Sequence, residues 1–306
     1  MSSRYFTMRV IESIFAIWGV ITAIFFIVRL SGDPALLMLP IGVSDQELNA
    51  FRHAMGLDQP IYIQYFKYLG NILTGNFGES YLHGKDALVV VLERMPATVE
   101  LAVTAILLGT IIGSITGLIA ARKQGSIFEF IAMVTALIGQ ATPVFWLGIM
   151  FILFFSVELG WLPSGGRGTI VHLILPAVTL ATFCSASIAR LFRSSLLEIL
   201  KEDYIRTAWS KGLPPRIVVF GHAARNALIP VITMLGLLTG TLLGGSVVTE
   251  TIFSWPGVGR LIVQGITKND FPVVQAGVTV IAVTFVGVNL LVDILYSVLD
   301  PRIRLK

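Results

Sequence analysis

The chain has 306 residues, of which 55% are hydrophobic and only 13% charged, with a mean hydropathy of +0.83. A soluble domain carries about 25% charged residues to wet its surface, and a single core of this length cannot absorb the apolar excess, so lipid is the solvent for much of this chain. The composition excludes an ordinary cytosolic enzyme, a disordered scaffold and, with Cys184 as the sole cysteine, a disulfide-stapled secreted domain; a formal net charge of +4 is too small to point to nucleic acid.

A spanning helix needs roughly 20 mostly apolar residues, because about 30 Å of hydrocarbon is crossed at about 1.5 Å per residue. Val10 to Leu30 is the first such stretch, bracketed by Arg9 and Arg29 and interrupted near its start by Glu12. Its apolar run exceeds the core of a signal peptide, and Arg29-Leu30-Ser31-Gly32-Asp33 offers no small-x-small cleavage site, so it reads as a retained anchor. Residues 31–96 then form a long external connection. Within it Ser44-Asp45-Gln46-Glu47 reads as a capping box that opens a helix, and Gly56 to Pro60 closes it. Tyr62, Tyr65, Phe66, Leu69, Ile72 and Leu73 recur at helical spacing, which predicts a second amphipathic helix on the bundle or the membrane surface.

Ala97 to Ala121 is the second span, and its Gly109, Gly113 and Gly117 at every fourth position predict close approach of a neighbouring helix. Phe128 to Val157 is the third, with Pro143 in its middle, and is expected to be kinked or broken. His172 to Phe192 is the fourth. Residues 193–226 are the most charged stretch of the chain: a helical pattern runs from Arg193 to Lys211, stops at Gly212, turns at Leu213-Pro214-Pro215, and resumes near Arg216. Held by spans on both sides, such a segment is a rigid knob suited to docking another protein. The bland alternative is that Glu198, Glu202 and Arg206, spaced by four, are solvated helix pairs worth a few tenths of a kcal/mol each.

Leu228 to Val248 is the fifth span. Its Gly236, Gly240, Gly244 and Gly245 favour tight packing, and Thr239, Thr241, Ser246 and Thr249 offer hydroxyls to a peptide-like solute. Val273 to Val298 is the sixth, with Asn289 and Asp293 one turn apart on one face. Of the acids in or beside the spans, Glu12, Glu100 and Glu129 lie within reach of an interface, whereas Asp293 is deeper. An interhelical hydrogen bond explains Asp293; a proton-coupled carrier would also use it. The expected fold is all-α and polytopic with six spans, divided as residues 1–30, 31–96 and 97–306.

Six crossings place both termini on one side. Fourteen of the 22 basic residues fall on that side, seven of them in or beside residues 193–226, and among the short loops the comparison is fourteen against three. The termini are therefore expected to be cytoplasmic. No nucleotide site accompanies the knob. Gly78 to Lys85 is the nearest imitation of a phosphate-binding loop, but five residues separate its glycines and Asp86 replaces the required hydroxyl. His53, His83, His172 and His222 are isolated and lack metal-ligand spacing.

Arg206-Thr207-Ala208-Trp209-Ser210-Lys211-Gly212-Leu213-Pro214, followed by His222 to Pro230, resembles the coupling loop of ABC importer permeases in the dipeptide, oligopeptide and nickel subgroup. The broad family pattern is Glu-Ala-Ala-x-x-x-Gly; here Arg-Thr-Ala precedes the glycine, and the interval to the Leu-x-Pro element is longer, as in that subgroup. The resemblance extends over nearly the whole chain, through Ser31 to Ala35, Gly56 to Pro60, Gly75 to Gly78, Gly160 to Pro163, Glu250 to Arg260 and Asp300 to Arg304. The long external loop is similar to that of the B-type permease, and Leu237 to Ile252 look like glutathione and dipeptide importer subunits.

The resemblance implies a type I permease fold and alternating access driven by partner ATPases, which bind ATP and Mg, so that this chain is not an enzyme and holds no cofactor or metal. Its implied partners are a second homologous permease, two cytoplasmic ATP-binding subunits, a periplasmic or lipid-anchored solute-binding protein and the bilayer of the bacterial inner membrane. It also implies that Glu202, Asp203, Tyr204, Arg206, Thr207, Ala208, Lys211 and Gly212 face an ATPase groove, with Trp209 a departure that alters partner fit. Peptides, glutathione and nickel complexes are all carried by such systems. Two other classes compete: a self-sufficient carrier using Asp293, and a scaffold whose knob recruits a partner without ATP hydrolysis.

Overall fold

A computed structural model describes residues 3–30, 35 and 43–299. Ser31 to Pro34 and Asp300 to Arg304, parts of the pattern above, lie outside them, as does the basic tail. Among the described residues the regular structure is helical, with one isolated bridge between Glu79 and Asp86. In chain order the helices are α1 (Ser3–Leu30), α2 (Asp45–Met55), α3 (Ile61–Leu73), α4 (Ala87–Arg122), α5 (Ile127–Ala141), α6 (Val144–Phe151), α7 (Ile170–Ile199), α8 (Asp203–Ser210), α9 (Ala224–Ile252), α10 (Val258–Thr267) and α11 (Phe271–Leu299). Two π-helical segments interrupt the pattern: Ile152–Glu158 prolongs α6, and Ile217–Ala223 leads into α9.

Four of these helices are continuous, long and apolar enough to cross a membrane: Thr7–Leu30, Ala87–Arg122, Ile170–Ile199 and Phe271–Asp293. The count reaches the expected six only when two bent pairs are each taken as one crossing. One is α5 with Val144–Glu158, bent by 104°; the other is Ile217–Ile232 with Met234–Leu242, bent by 40°. The sharper bend falls at Thr142-Pro143, where proline lacks the N–H that would continue the α5 ladder.

The second span begins earlier than expected. Asp86 Oδ1 accepts the N–H groups of Leu88 (2.8 Å) and Val89 (3.2 Å), which starts α4 ten residues before Ala97, and the helix then runs through Pro96. The expected division between residues 96 and 97 thus falls inside a helix. By internal contact the chain forms two units, one of the described residues up to Ala97 with Pro256–Leu290, the other of Thr98–Trp255 with the described residues from Leu291.

In the first unit the apolar faces of α1, the start of α4, α10 and the start of α11 meet. Ile24, Val28, Val90, Val91, Val258, Leu261, Val273 and Val274 form the core, held where the helices lie in lipid by van der Waals packing rather than by exclusion of water. The expected capping box opens α2: Ser44 Oγ accepts Glu47 N–H at 3.3 Å, Ser44 N–H donates to Glu47 Oε2 at 3.2 Å, and Gly56 closes the helix at φ +65°. Helix α3 lies on α1 through the Tyr65–Thr22 hydroxyl hydrogen bond (2.6 Å) and rings of Tyr65 and Tyr68 about 5 Å from that of Phe25.

In the second unit α7 is central and packs against α5, α6 and α9. The glycine stripe of α4 meets it. A Cβ added at Gly109 would lie 2.8 Å from Cys184 Cβ, and at Gly113 and Gly117 it would lie 2.6 Å from the carbonyl oxygens of Ser185 and Ala189. Only a hydrogen fits there, and the spacing of four brings three such contacts onto one face.

Candidate functional site

The knob is built from the end of α7, helix α8 and the π-helical entry to α9. The single helix expected from Arg193 to Lys211 is instead two, divided at Leu200 to Glu202, where Glu202 takes an extended backbone with ψ 147°. Periodicity explains the division. Leu196 and Ile205 are both fully buried, yet nine residues of one α-helix would place them roughly 180° apart. Breaking the helix lets both point inward, and Asp203 then opens α8 with negative charge at its positive end.

Helix α8 rests on Ile217–Ala223 through Ile205 (0% exposed) and Ala208 (7%). Ala208 was expected in a partner groove; it faces inward and packs the helix onto its base, because it shares the buried stripe with Ile205 at a spacing of three. Glu202, Asp203, Tyr204, Arg206, Thr207, Lys211 and Gly212 are exposed, as is Trp209. Their contacts are local: Arg206 Nη1 pairs with Asp203 Oδ1 at 3.4 Å, Thr207 Oγ1 donates to Asp203 O at 2.9 Å, and Asn226 Nδ2 donates to Tyr204 Oη at 2.8 Å. The last bond ties α8 to the start of α9. At φ +74° Gly212 closes the knob in a conformation open to glycine at little cost, with Gly212 N–H on Trp209 O at 3.0 Å. The result is a short helix with a fixed base and a charged, unburied ridge.

The hydroxyls proposed to line a pathway on α9 divide. Thr239 and Thr241 donate to carbonyls of their own helix, to Leu235 at 2.7 Å and Leu237 at 3.1 Å, and Thr241 is exposed. Ser246 and Thr249 are fully buried beside Glu250, so they belong to the packing of the second unit. On α11 Asn289 Nδ2 donates to Phe285 O at 3.1 Å and Asp293 is half-buried.

Two buried acids escaped the reading of the spans. Glu250 is fully buried and accepts Thr98 Oγ1 at 2.7 Å and Ser246 Oγ at 3.4 Å. It follows directly on the apolar run that closes at Val248, just outside a search confined to spans. Asp270, between α10 and α11, is also fully buried; its Oδ2 accepts Ser80 Oγ at 2.6 Å and Leu82 N–H at 3.3 Å. Of the acids flagged from sequence, Glu100 pairs with Arg167 at 2.6 Å and Glu12 with Arg9 at 3.3 Å, both exposed, while Glu129 pairs with Arg193.

Two family models match the chain: the inner membrane component of binding-protein-dependent transport systems over residues 96–305, and the N-terminal part of such components over residues 3–102. The chain belongs to this family, the permeases of ABC importers.

Among curated relatives, the di/tripeptide transport system permease of Pseudomonas aeruginosa is 44% identical, with 94% of each chain covered. The dipeptide permease of Alkalihalophilus pseudofirmus is 41% identical, covering 94% of this chain and 95% of the relative. The glutathione transport system permease of Escherichia coli K12 is 41% identical with 92% of each covered. A crystal structure of an amino acid ABC transporter with histidines shares the fold at TM-score 0.52 and 17% identity, covering 70% of this chain and 94% of that one. The protein is thus an inner-membrane transport subunit rather than an enzyme, of a family that works with ATPases and a binding protein. That assignment displaces the self-sufficient carrier built on Asp293.

Proposed function

We propose that this chain forms part of the membrane pathway of an importer for short peptides, with ATP hydrolysis and its Mg confined to two cytoplasmic partner subunits. The relatives named for di/tripeptides, dipeptides and glutathione share one substrate chemistry, since glutathione is itself a tripeptide. A second homologous permease completes the pathway, and a periplasmic or lipid-anchored binding protein delivers the solute. The N- and C-termini face the cytoplasm, as the basic residues of the short loops favour. Residues 193–226 form the coupling loop.

The observation that carries this reading is the ridge of α8. Asp203, Tyr204, Arg206, Thr207 and Lys211 are exposed on a helix whose other face, Ile205 and Ala208, is locked to its base. A helix seated this firmly transmits displacement to α7 and α9 rather than absorbing it, which nucleotide-driven alternating access requires. Affinity for the peptide resides mainly in the binding protein. The test is ATP-dependent uptake of a labelled dipeptide by proteoliposomes holding the complete transporter. Gly212→Asp forces a non-glycine side chain to φ +74° and is expected to lower uptake at least about ten-fold. Unchanged uptake would refute the coupling assignment.

A further inference from the structure

A charged contact joins the start of the third span to the helix that leads into the knob. Arg193, on α7 six residues before its end, directs both Nε and Nη2 to Glu129 Oε1, the former at 2.7 Å. The second carboxylate oxygen of Glu129 accepts Gly125 N–H at 2.5 Å. Gly125 holds φ +76° in the turn before α5, and Ser126 caps that helix, accepting Glu129 N–H at 3.4 Å and donating to Lys123 O at 2.5 Å. Lys123 Nζ sits 3.5 Å over the Phe128 ring. One carboxylate therefore closes the 123–126 turn and grips α7 at once.

The side chains are 28% (Arg193) and 14% (Glu129) exposed, so the pair is held in a fixed geometry rather than solvated, and removing either partner leaves a half-buried charge unmatched. Six residues of helix separate Arg193 from the end of α7, about 9 Å, and three more reach α8. Helix α5 packs along α7, and its continuation past Thr142-Pro143, bent by 104° from it, meets α7 at a second place.

We propose that Glu129 and Arg193 are a positioning pair that makes α5 move with the knob as one body, so that displacement of α8 is delivered to the first half of the broken span and taken up at Pro143. This rests on the coupling reading of residues 193–226 and adds where the motion goes. Two elements with a shared anchor and a hinge beyond it are what a lever needs.

The experiment uses the complete transporter in liposomes, with dipeptide uptake and ATP hydrolysis measured on the same preparation. Glu129→Gln and Arg193→Gln are each expected to lower uptake per ATP hydrolysed by about ten-fold, the double variant by no more than the worse single, and Arg193→Lys by less than about two-fold. Unchanged ratios in the single variants, or losses that multiply in the double, would overturn the pairing. Spin labels at exposed Gln124 and Glu198, with the native pair intact, give a second reading that does not depend on the neutral variants folding. Their separation is expected to stay constant within about 2 Å through the nucleotide cycle; a larger change would overturn the one-body movement. Gly212→Asp in the same assay separates the levels. If it uncouples transport while the pair variants do not, the clasp alone fails; if it has no effect, the coupling reading fails with it.

Discussion

Residues 79–86 and residues 203–212 are both short polar segments attached to spanning helices, and they use their polar groups in opposite ways. The first tucks Ser80 and Leu82 N–H onto the fully buried Asp270. In the second Ile205 and Ala208 turn inward while Trp209 and the charged residues stay exposed, with one weak i,i+3 pair between Asp203 and Arg206. A buried hydrogen bond is costly to leave half-made, whereas an exposed pair is worth little. The first segment is therefore fixed by its own chain, and the second leaves its polar groups exposed, as the proposed docking role requires. Mutations should lower stability most at the first and transport most at the second.

Asp270→Ala has the largest expected effect on stability, a loss of about 3 kcal/mol, because it removes the shared acceptor of the Leu82 amide and of the Ser80 hydroxyl, which keeps only His83 as a partner; thermal unfolding in detergent reads it. Gly113→Ala comes next at about 2 kcal/mol, since the new methyl must displace the Ser185 carbonyl across the α4–α7 contact. Thr207→Ala is expected to change stability by less than about 0.5 kcal/mol while lowering ATP-driven uptake several-fold; a large drop in Tm instead would place the ridge with the buried ties.

The smallest effect is at His53, in the exposed last turn of α2, whose imidazole hydrogen-bonds Oδ2 of Asp58, just beyond the helix, at 2.7 Å. That hydrogen bond and the carboxylate charge raise the pKa of His53 above the ordinary 6.5, and Asp58 is lowered in turn. The contribution of His53 is present below its ordinary pKa and fades as pH rises through the raised one; that of Asp58 is lost as pH falls through its lowered one. Titration by NMR should find His53 above 6.5, and Asp58→Asn should return it there.

Local signals read well from the residues alone. Ser44 and Glu47 specify a cap within four positions, Pro143 breaks the third span, Gly212 ends the knob, and the glycines of α4 announce a close neighbour by spacing. What stayed hidden depends on distance along the chain or on competition between faces. Ser80 and Asp270 are 190 residues apart and Thr98 and Glu250 are 152 apart, and no local pattern joins them. The division at Leu200 to Glu202 contains no glycine or proline; it arises because Leu196 and Ile205 both demand burial. Ala208 looked available to a partner for its small size, and that size is what lets it pack beneath the ridge. Pro96 looked like a boundary, yet Asp86 had already started the helix.

The most direct test replaces Thr207 with a photo-reactive side chain in the assembled, ATP-competent transporter and identifies the adduct. Capture of an ATP-binding subunit from Thr207, with none from the same group at Tyr81, is the expected result. A transporter that imports normally while Thr207 captures only lipid or the binding protein would contradict the docking role of α8.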